Sequence, residues 1–88
     1  MSNIFQNSTI LITGGTGTFG SAFLKHLLKL NPKEIRIFSR DEKKQYELSN
    51  ELSNHKNIKF CIGDVRDFNS VDRATKGVDY VLHAAAMK

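Results

Sequence analysis

Residues 9–20 read TILITGGTGTFG, and this stretch decides the fold. Its first five residues form a continuous apolar and β-branched run, which is typical of a strand buried on both faces of a parallel sheet. After the glycines the period becomes helical, because Phe19, Phe23 and Leu27 recur at i, i+4 and i+8. The sequence therefore predicts a strand, a glycine-rich loop and an amphipathic helix that Pro32 ends.

The glycine loop fits two spacings used for phosphate binding. Gly14, Gly17 and Gly20 give G-x-x-G-x-x-G, and Gly15 with the last two gives G-x-G-x-x-G. The first glycine permits a tight turn, the middle one lets a pyrophosphate approach the backbone, and the last lets the helix pack against the strand. No Gly-Lys-Ser/Thr ending follows, so the loop is not a P-loop. Dinucleotide binding is predicted, and a turn without a ligand is the alternative.

The rest of the chain continues the alternation of strand and helix. Strands are predicted at 35–39, 58–62 and 80–84, and helices at 41–53 and 70–76. The order β-α-β-α-β-α-β predicts an α/β fold, the N-terminal half of a Rossmann-type doubly wound parallel sheet. Because the sequence stops just past a strand, we expect residues 1–88 to be the dinucleotide-binding segment of a longer protein, with substrate-binding and catalytic parts beyond 88.

Composition sets limits on the class of protein. The chain has 88 residues and 40% hydrophobic residues, which indicates one small globular domain. A lone cysteine, Cys61, excludes an internal disulfide, and the N-terminus lacks signal-peptide features, so we expect a cytoplasmic protein. No apolar run reaches the roughly 18 residues needed to span a bilayer, which predicts no membrane insertion. The net charge of +4 is spread thinly, so no nucleic-acid partner is expected.

The end of the second strand bears on which dinucleotide binds. NAD-preferring folds usually place an acid there for the ribose 2′-hydroxyl, whereas here the strand ends in Ser39 and Arg40, which suit a 2′-phosphate. Four charged residues follow: Asp41, Glu42, Lys43 and Lys44. The lysines add positive charge, while either acid can instead point at a ribose. NADP is favoured over NAD.

The ends of the third and fourth strands supply further candidates. Asp64 can accept a hydrogen bond from the adenine amino group while Val65 packs on the ring; alternatively, Asp64 caps a turn or the next helix. Ala84 opens a run of three alanines beside the crevice where the strand order reverses. Its small side chain leaves room for the nicotinamide half of the cofactor.

Other reactive residues carry weaker signals. Cys61 lies between Phe60 and Ile62, which favours a buried packing role. The histidines lack metal-ligand spacing: His26, His55 and His83. The Tyr-x-x-x-Lys pair of short-chain dehydrogenases is absent, because Asn50 and Ala84 stand four residues after the two tyrosines. No metal site and no catalytic residue is predicted, and this segment alone should bind without turnover.

Four motifs together resemble a known family: TGGTGTFG, RIFSRDEKKQ, IGDVRD and HAAAMK. They are similar to the N-terminal half of extended short-chain dehydrogenase/reductases. More narrowly, they resemble bacterial UDP-N-acetylglucosamine 4,6-dehydratases of the configuration-inverting kind, in the capsule and polysaccharide-biosynthesis group. The likeness covers nearly the whole chain, and SRDEKKQ with GDVRD is more specific than the glycine loop. It implies NADP as cofactor, a UDP-sugar substrate and a homo-oligomer.

The resemblance also implies roles for individual residues. A pyrophosphate would be lined by Thr16, Gly17, Thr18 and Phe19. The adenosine 2′-phosphate would be surrounded by Ser39, Arg40, Asp41, Glu42, Lys43 and Lys44. The adenine would meet Asp64 and Val65, the nicotinamide side Ala84, and the sugar nucleotide Lys88.

The reaction implied by the resemblance begins with hydride transfer from C4 of the sugar to NADP. Water is then lost across C5–C6, the hydride returns to C6, and C5 is inverted. Two alternatives stay open: a UDP-sugar 4-epimerase, which shares the first step but loses no water, and a non-catalytic NADP-binding regulatory protein.

Overall fold

The computed structural model describes residues 4–14 and 16–84. The strands are β1 (Thr9–Thr13), β2 (Glu34–Ser39), β3 (Ile58–Ile62) and β4 (Tyr80–His83). The α-helices are α1 (Thr18–Leu27), α2 (Glu42–Glu51) and α3 (Phe68–Ala74), and a 3₁₀ turn, Leu28–Leu30, extends α1. Among the described residues, no helix is long and apolar enough to cross a membrane.

The strands form one parallel sheet in the order β3-β2-β1-β4. Ile10 of β1 is paired with Ile35 of β2 on one side and with Tyr80 of β4 on the other. The chain moves outward from β1 through β2 to β3 and then returns to the opposite side of β1. The strand order therefore reverses between β1 and β4, which is the topological switch point of a Rossmann-type sheet.

Both faces of the sheet are covered, which confirms the doubly wound α/β prediction. Alternate residues of β1 point to opposite faces, so Ile10 and Ile12 lie in one core and Leu11 in the other. The first core is formed with α1 and α2: Ile10, Ile12, Leu24, Leu27, Ile35, Ile37, Leu48, Leu52 and Ala84. The second lies under α3: Leu11, Phe38 and Ala74.

Several predicted details are corrected by the structure. The buried face of α1 carries Leu24 and Leu27, whereas Phe23 of the predicted stripe is only half-buried. The predicted helix 70–76 begins earlier, at Phe68, because the carboxylate of Asp67 accepts a hydrogen bond from the Asn69 N–H and caps it. The predicted strand 80–84 ends at His83.

Candidate nucleotide-binding site

The glycine loop is fixed to the neighbouring strand by backbone hydrogen bonds. The Gly14 N–H donates to the Phe38 carbonyl at 2.9 Å, and the Gly17 N–H donates to the Gly14 carbonyl at 3.1 Å. Gly14 has φ 70°, a left-handed conformation that favours glycine. Gly17 is different: its φ is −73°, and among the described residues an added Cβ would meet only the Gly14 carbonyl oxygen, at 3.5 Å. Neither the backbone conformation nor the packing of the described residues therefore requires a glycine at position 17.

The helix that follows the loop begins without a side-chain cap. Gly17 is its N-cap residue, and its first turn contains no acidic residue. By contrast, α2 is capped by Asp41 and α3 by Asp67, each through its carboxylate. Within the described residues, α1 thus has no carboxylate cap of the kind that the other two helices carry at their positive dipole ends. An anion bound at the loop would supply a negative charge there.

The hydroxyl of Ser39, at the end of β2, joins three parts of the chain. Its oxygen lies 3.4 Å from the Thr16 hydroxyl in the glycine loop. It accepts from the Asp41 N–H at 3.3 Å and from the Gln45 side-chain amide at 3.1 Å. These contacts place the loop beside the residues that were predicted to read the ribose. Arg40, next in the chain, is 68% exposed at its side chain, and its guanidinium lies 3.6 Å from the Asp64 carboxylate.

The carboxylate of Asp64 follows β3 and is held by two arginines. Arg66 donates to it from its backbone N–H at 2.9 Å and from its guanidinium at 2.8–3.2 Å, and Arg40 lies 3.6 Å away. The Arg66 side-chain hydrogen bonds are the largest cause that lowers the pKa of Asp64, from 3.8 to about 2. These are the turn-capping contacts given as the alternative for Asp64, and its adenine role stays a prediction.

These strand ends enclose an open cleft of about 380 Å³. It is lined by Gly14, Phe38, Ser39, Arg40, Gly63, Asp64, Val65 and Arg66. Gly63 lets the chain pass close to the floor of the cleft, since an added Cβ would lie 2.8 Å from the Phe38 ring. A second cleft of about 470 Å³ separates α1 from α2 and is lined by Thr16, Ser21, Lys44, Glu47, Leu48 and Glu51. Thr16 and Lys44 thus lie beside one opening, and Ser39 and Arg40 beside the other.

The remaining predicted residues are distributed around these clefts. Thr18 and Phe19 open α1, and Gly20 in its first turn is buried. Glu42 and Lys43 are exposed at the start of α2, and Val65 is 47% exposed. Ala84 is 8% exposed and belongs to the core under α1 and α2, so its contact with the nicotinamide stays a prediction. Gly15 and Lys88 lie outside the described residues.

Sequence reasoning missed two features of the site. Gln45 is buried and contacts Ser39. Its spacing of three and seven residues from the buried Leu48 and Leu52 is the signal that could have placed it on the inner face of α2. The Thr13 hydroxyl contacts His83 Nδ1 at 2.5 Å across the switch point. Cys61 is half-buried against the core under α3, where burial raises the pKa of its thiol, as fits a packing role. In the described part of the chain, no group of three or more His, Cys, Asp or Glu residues can hold a metal ion.

Together, the strand order, the crossovers on both faces and the glycine loop define a Rossmann-type α/β domain. The chain belongs to the polysaccharide biosynthesis protein family, whose sequence profile matches residues 10–88.

Curated relatives and solved structures agree with this assignment. The chain is 61% identical to a UDP-glucose 4-epimerase of Rickettsia bellii and 58% identical to one of Rickettsia akari, over 97% of its own length. It spans 26% of the length of each. Pen from Bacillus thuringiensis superposes on 89% of the chain with a TM-score of 0.86 and 40% identity, which is 24% of that structure.

A more distant structure shares the fold. The enzyme WbmF of Bordetella bronchiseptica, solved with NAD+ and UDP, matches 93% of the chain and 24% of its own, with a TM-score of 0.72 and 21% identity.

Proposed function

We propose that the chain is the NADP-binding segment of a nucleotide-sugar epimerase or dehydratase that acts on a UDP-sugar. The observation that carries the proposal is the geometry of Gly17. Its conformation and surroundings accept a side chain, yet the position holds a glycine at the uncapped start of α1. The fold does not explain why position 17 is a glycine, whereas the close approach of a pyrophosphate to the backbone does.

The preference for NADP rests on the end of β2. Ser39 and Arg40 stand where an NAD site usually offers a carboxylate, and Arg40 is exposed beside the cleft. The carboxylate of Asp41 is already engaged with the Lys44 N–H at the start of α2. In this arrangement a 2′-phosphate would meet a hydroxyl and a guanidinium, with Lys44 near the second cleft.

The catalysed reaction would begin with removal of a hydride from C4 of the sugar, a step that epimerases and 4,6-dehydratases share. The name of the curated relatives, UDP-glucose 4-epimerase, favours epimerisation. The motifs SRDEKKQ and GDVRD favour a 4,6-dehydratase of UDP-N-acetylglucosamine that inverts C5 in polysaccharide biosynthesis. The roles of Asp64 and Val65 toward adenine, Ala84 toward nicotinamide and Lys88 toward the sugar nucleotide belong to the same proposal, as does a homo-oligomeric enzyme.

The test of the reaction is product analysis with the full-length protein of which this chain is proposed to be a segment. UDP-glucose and UDP-N-acetylglucosamine are incubated separately with that protein and NADP, and the products are analysed by NMR and mass spectrometry. A C4 epimer of unchanged mass identifies an epimerase. A product lighter by one water, with a C6 methyl group, identifies a dehydratase. If NADP binds and neither sugar is changed, the non-catalytic alternative is correct and the enzymatic proposal is wrong.

A further inference from the structure

We infer that Gln45 is a positioning residue that fixes the Ser39 hydroxyl as a hydrogen-bond donor and thereby selects a 2′-phosphate over a 2′-hydroxyl. The inference rests on the proposed NADP site. It concerns how the site discriminates between the two cofactors, and it involves a residue that does not itself reach the cleft surface.

The orientation of the Gln45 amide follows from its neighbours. The side chain is 4% exposed, and its nitrogen lies 2.9 Å from the Cys61 carbonyl oxygen and 3.4 Å from that of Ser39. Carbonyl oxygens only accept, so the NH₂ group must face them. One amide hydrogen is used by Cys61, and the other reaches the Ser39 hydroxyl oxygen at 3.1 Å. Gln45 is therefore a donor to Ser39.

The Ser39 hydroxyl is then restricted in what it can do. A hydroxyl oxygen has two lone pairs and one hydrogen. The lone pairs face the Gln45 amide and the Asp41 N–H, at 3.1 and 3.3 Å. The Thr16 hydroxyl also donates toward the Ser39 oxygen, at 3.4 Å, so the Ser39 hydrogen is left for a ligand in the adjoining cleft.

A group that can only donate discriminates between the two cofactors. The oxygens of a 2′-phosphate dianion accept hydrogen bonds, so a donating Ser39 forms a charge-assisted bond with them. The ribose 2′-hydroxyl of NAD is best held by a group that accepts its hydrogen, as the carboxylate of an NAD site does. With Gln45 in place, the Ser39 oxygen cannot accept a hydrogen bond from the ribose 2′-hydroxyl. Gln45 thus acts on cofactor choice through Ser39.

The test measures dissociation constants for NADP and NAD in the full-length chain and its variants. Gln45→Met keeps an unbranched side chain of similar size and removes both donors. We expect the preference for NADP over NAD to fall about tenfold, the scale of one hydrogen bond to a charged group. Ser39→Ala should lower it similarly. The double variant should lower it no further, because both changes remove the same interaction.

The matched control is Leu52→Ala, which shortens another buried side chain at the end of α2. It should lower stability and leave the ratio of the two affinities unchanged. If Leu52→Ala changes the ratio as much as Gln45→Met does, the effect is structural and the inference is wrong. If wild type prefers NADP and Gln45→Met keeps that preference, the inference about Gln45 is wrong while the proposed NADP site stands. If wild type binds neither cofactor, the proposed function itself fails.

A second variant covers the case in which Gln45→Met does not fold. Gln45→Glu keeps the length and shape of the side chain. In its protonated form it donates one hydrogen to the Cys61 carbonyl, and its other oxygen accepts from Ser39. The polarity of Ser39 is then reversed, and the preference for NADP should fall. An unchanged preference in a folded Gln45→Glu chain overturns the inference.

Discussion

Arg66 holds the Asp64 carboxylate with two nitrogens of its guanidinium, Nη2 at 2.8 Å from Oδ2 and Nε at 3.2 Å from both oxygens. This contact, joined by the Arg66 N–H, lowers the pKa of Asp64 to about 2. Because the folded-state pKa lies below the unfolded one, the contribution to stability is present above the unfolded pKa of about 3.9 and is lost as the pH falls toward 2.

The first prediction follows from this ion pair. Replacing Arg66 with alanine removes the side-chain hydrogen bonds, so the pKa of Asp64 should rise toward 3.8. The measurement is an NMR titration of the Asp64 carboxyl carbon between about pH 1.5 and 6, a range that brackets both values. Arg73→Ala, which removes an exposed guanidinium from α3, should leave this titration unchanged. A wild-type Asp64 that titrates near 3.8 would show that the ion pair is not formed in solution.

A second prediction separates binding from stability at two glycines. Gly17→Ala should lower NADP affinity at least tenfold, because the methyl group takes the room through which a pyrophosphate would approach. Stability should fall by less than about 1 kcal/mol, since φ is ordinary and no close contact forms. Calorimetric titration and denaturant unfolding measure the two quantities on the same sample.

The control for this prediction is Gly77→Ala. Gly77 has φ +74° and lies beyond the C-terminal end of α3, so a side chain there is strained by about 1–2 kcal/mol. Its NADP affinity should equal that of wild type while its stability falls. The explanation of Gly17 is refuted if its alanine variant binds NADP as tightly as wild type does.

A third prediction concerns the floor of the cleft. Gly63→Ala would place a methyl carbon 2.8 Å from two Phe38 ring atoms and 3.1 Å from Ser70 Cβ. Phe38 is buried, so the ring cannot move without disturbing the core. We expect a loss of about 1–3 kcal/mol in the free energy of unfolding, measured with denaturant. Adding Phe38→Leu should recover part of it, and a double variant no more stable than Gly63→Ala would argue against this contact.

β1 could be read from the sequence because a parallel strand buried on both faces is a continuous apolar run. β3 is a partly exposed edge strand, and it could be read because its apolar residues end at Gly63 and Asp64. β1 and β3 were predicted to the residue, and β2 gains only Glu34, which pairs with Thr9. The buried face of α1 was harder to predict from the sequence, because apolar residues occupy more than one stripe of that helix. The buried stripe carries Leu24 and Leu27, and Phe23 lies only partly within it.

The candidate site could be read only in part. The glycine loop is local in sequence, so its turn and its helix start were predictable from glycine spacing. The Ser39 contacts bring together Thr16 and Gln45, which lie 23 and 6 residues away. Gln45 shares a helix face with the buried Leu48 and Leu52, but its amide is held by the Cys61 carbonyl on β3, and a contact between residues 16 positions apart has no local sequence signal. The cap of α3 was also missed: Asp64 was considered as a cap for the next helix, whereas Asp67 is the residue that caps it.

The most direct measurement of the central claim is a calorimetric titration of NADP and of NAD, separately, into the full-length chain and into Arg40→Asp. We expect wild type to bind NADP at least tenfold more tightly than NAD, and Arg40→Asp to lose this preference through weaker NADP binding. Equal affinities in wild type, or a preference for NAD, would contradict the assignment of Ser39 and Arg40 to a 2′-phosphate. Binding of neither cofactor would reduce the glycine loop to a turn and remove the basis of the proposed function.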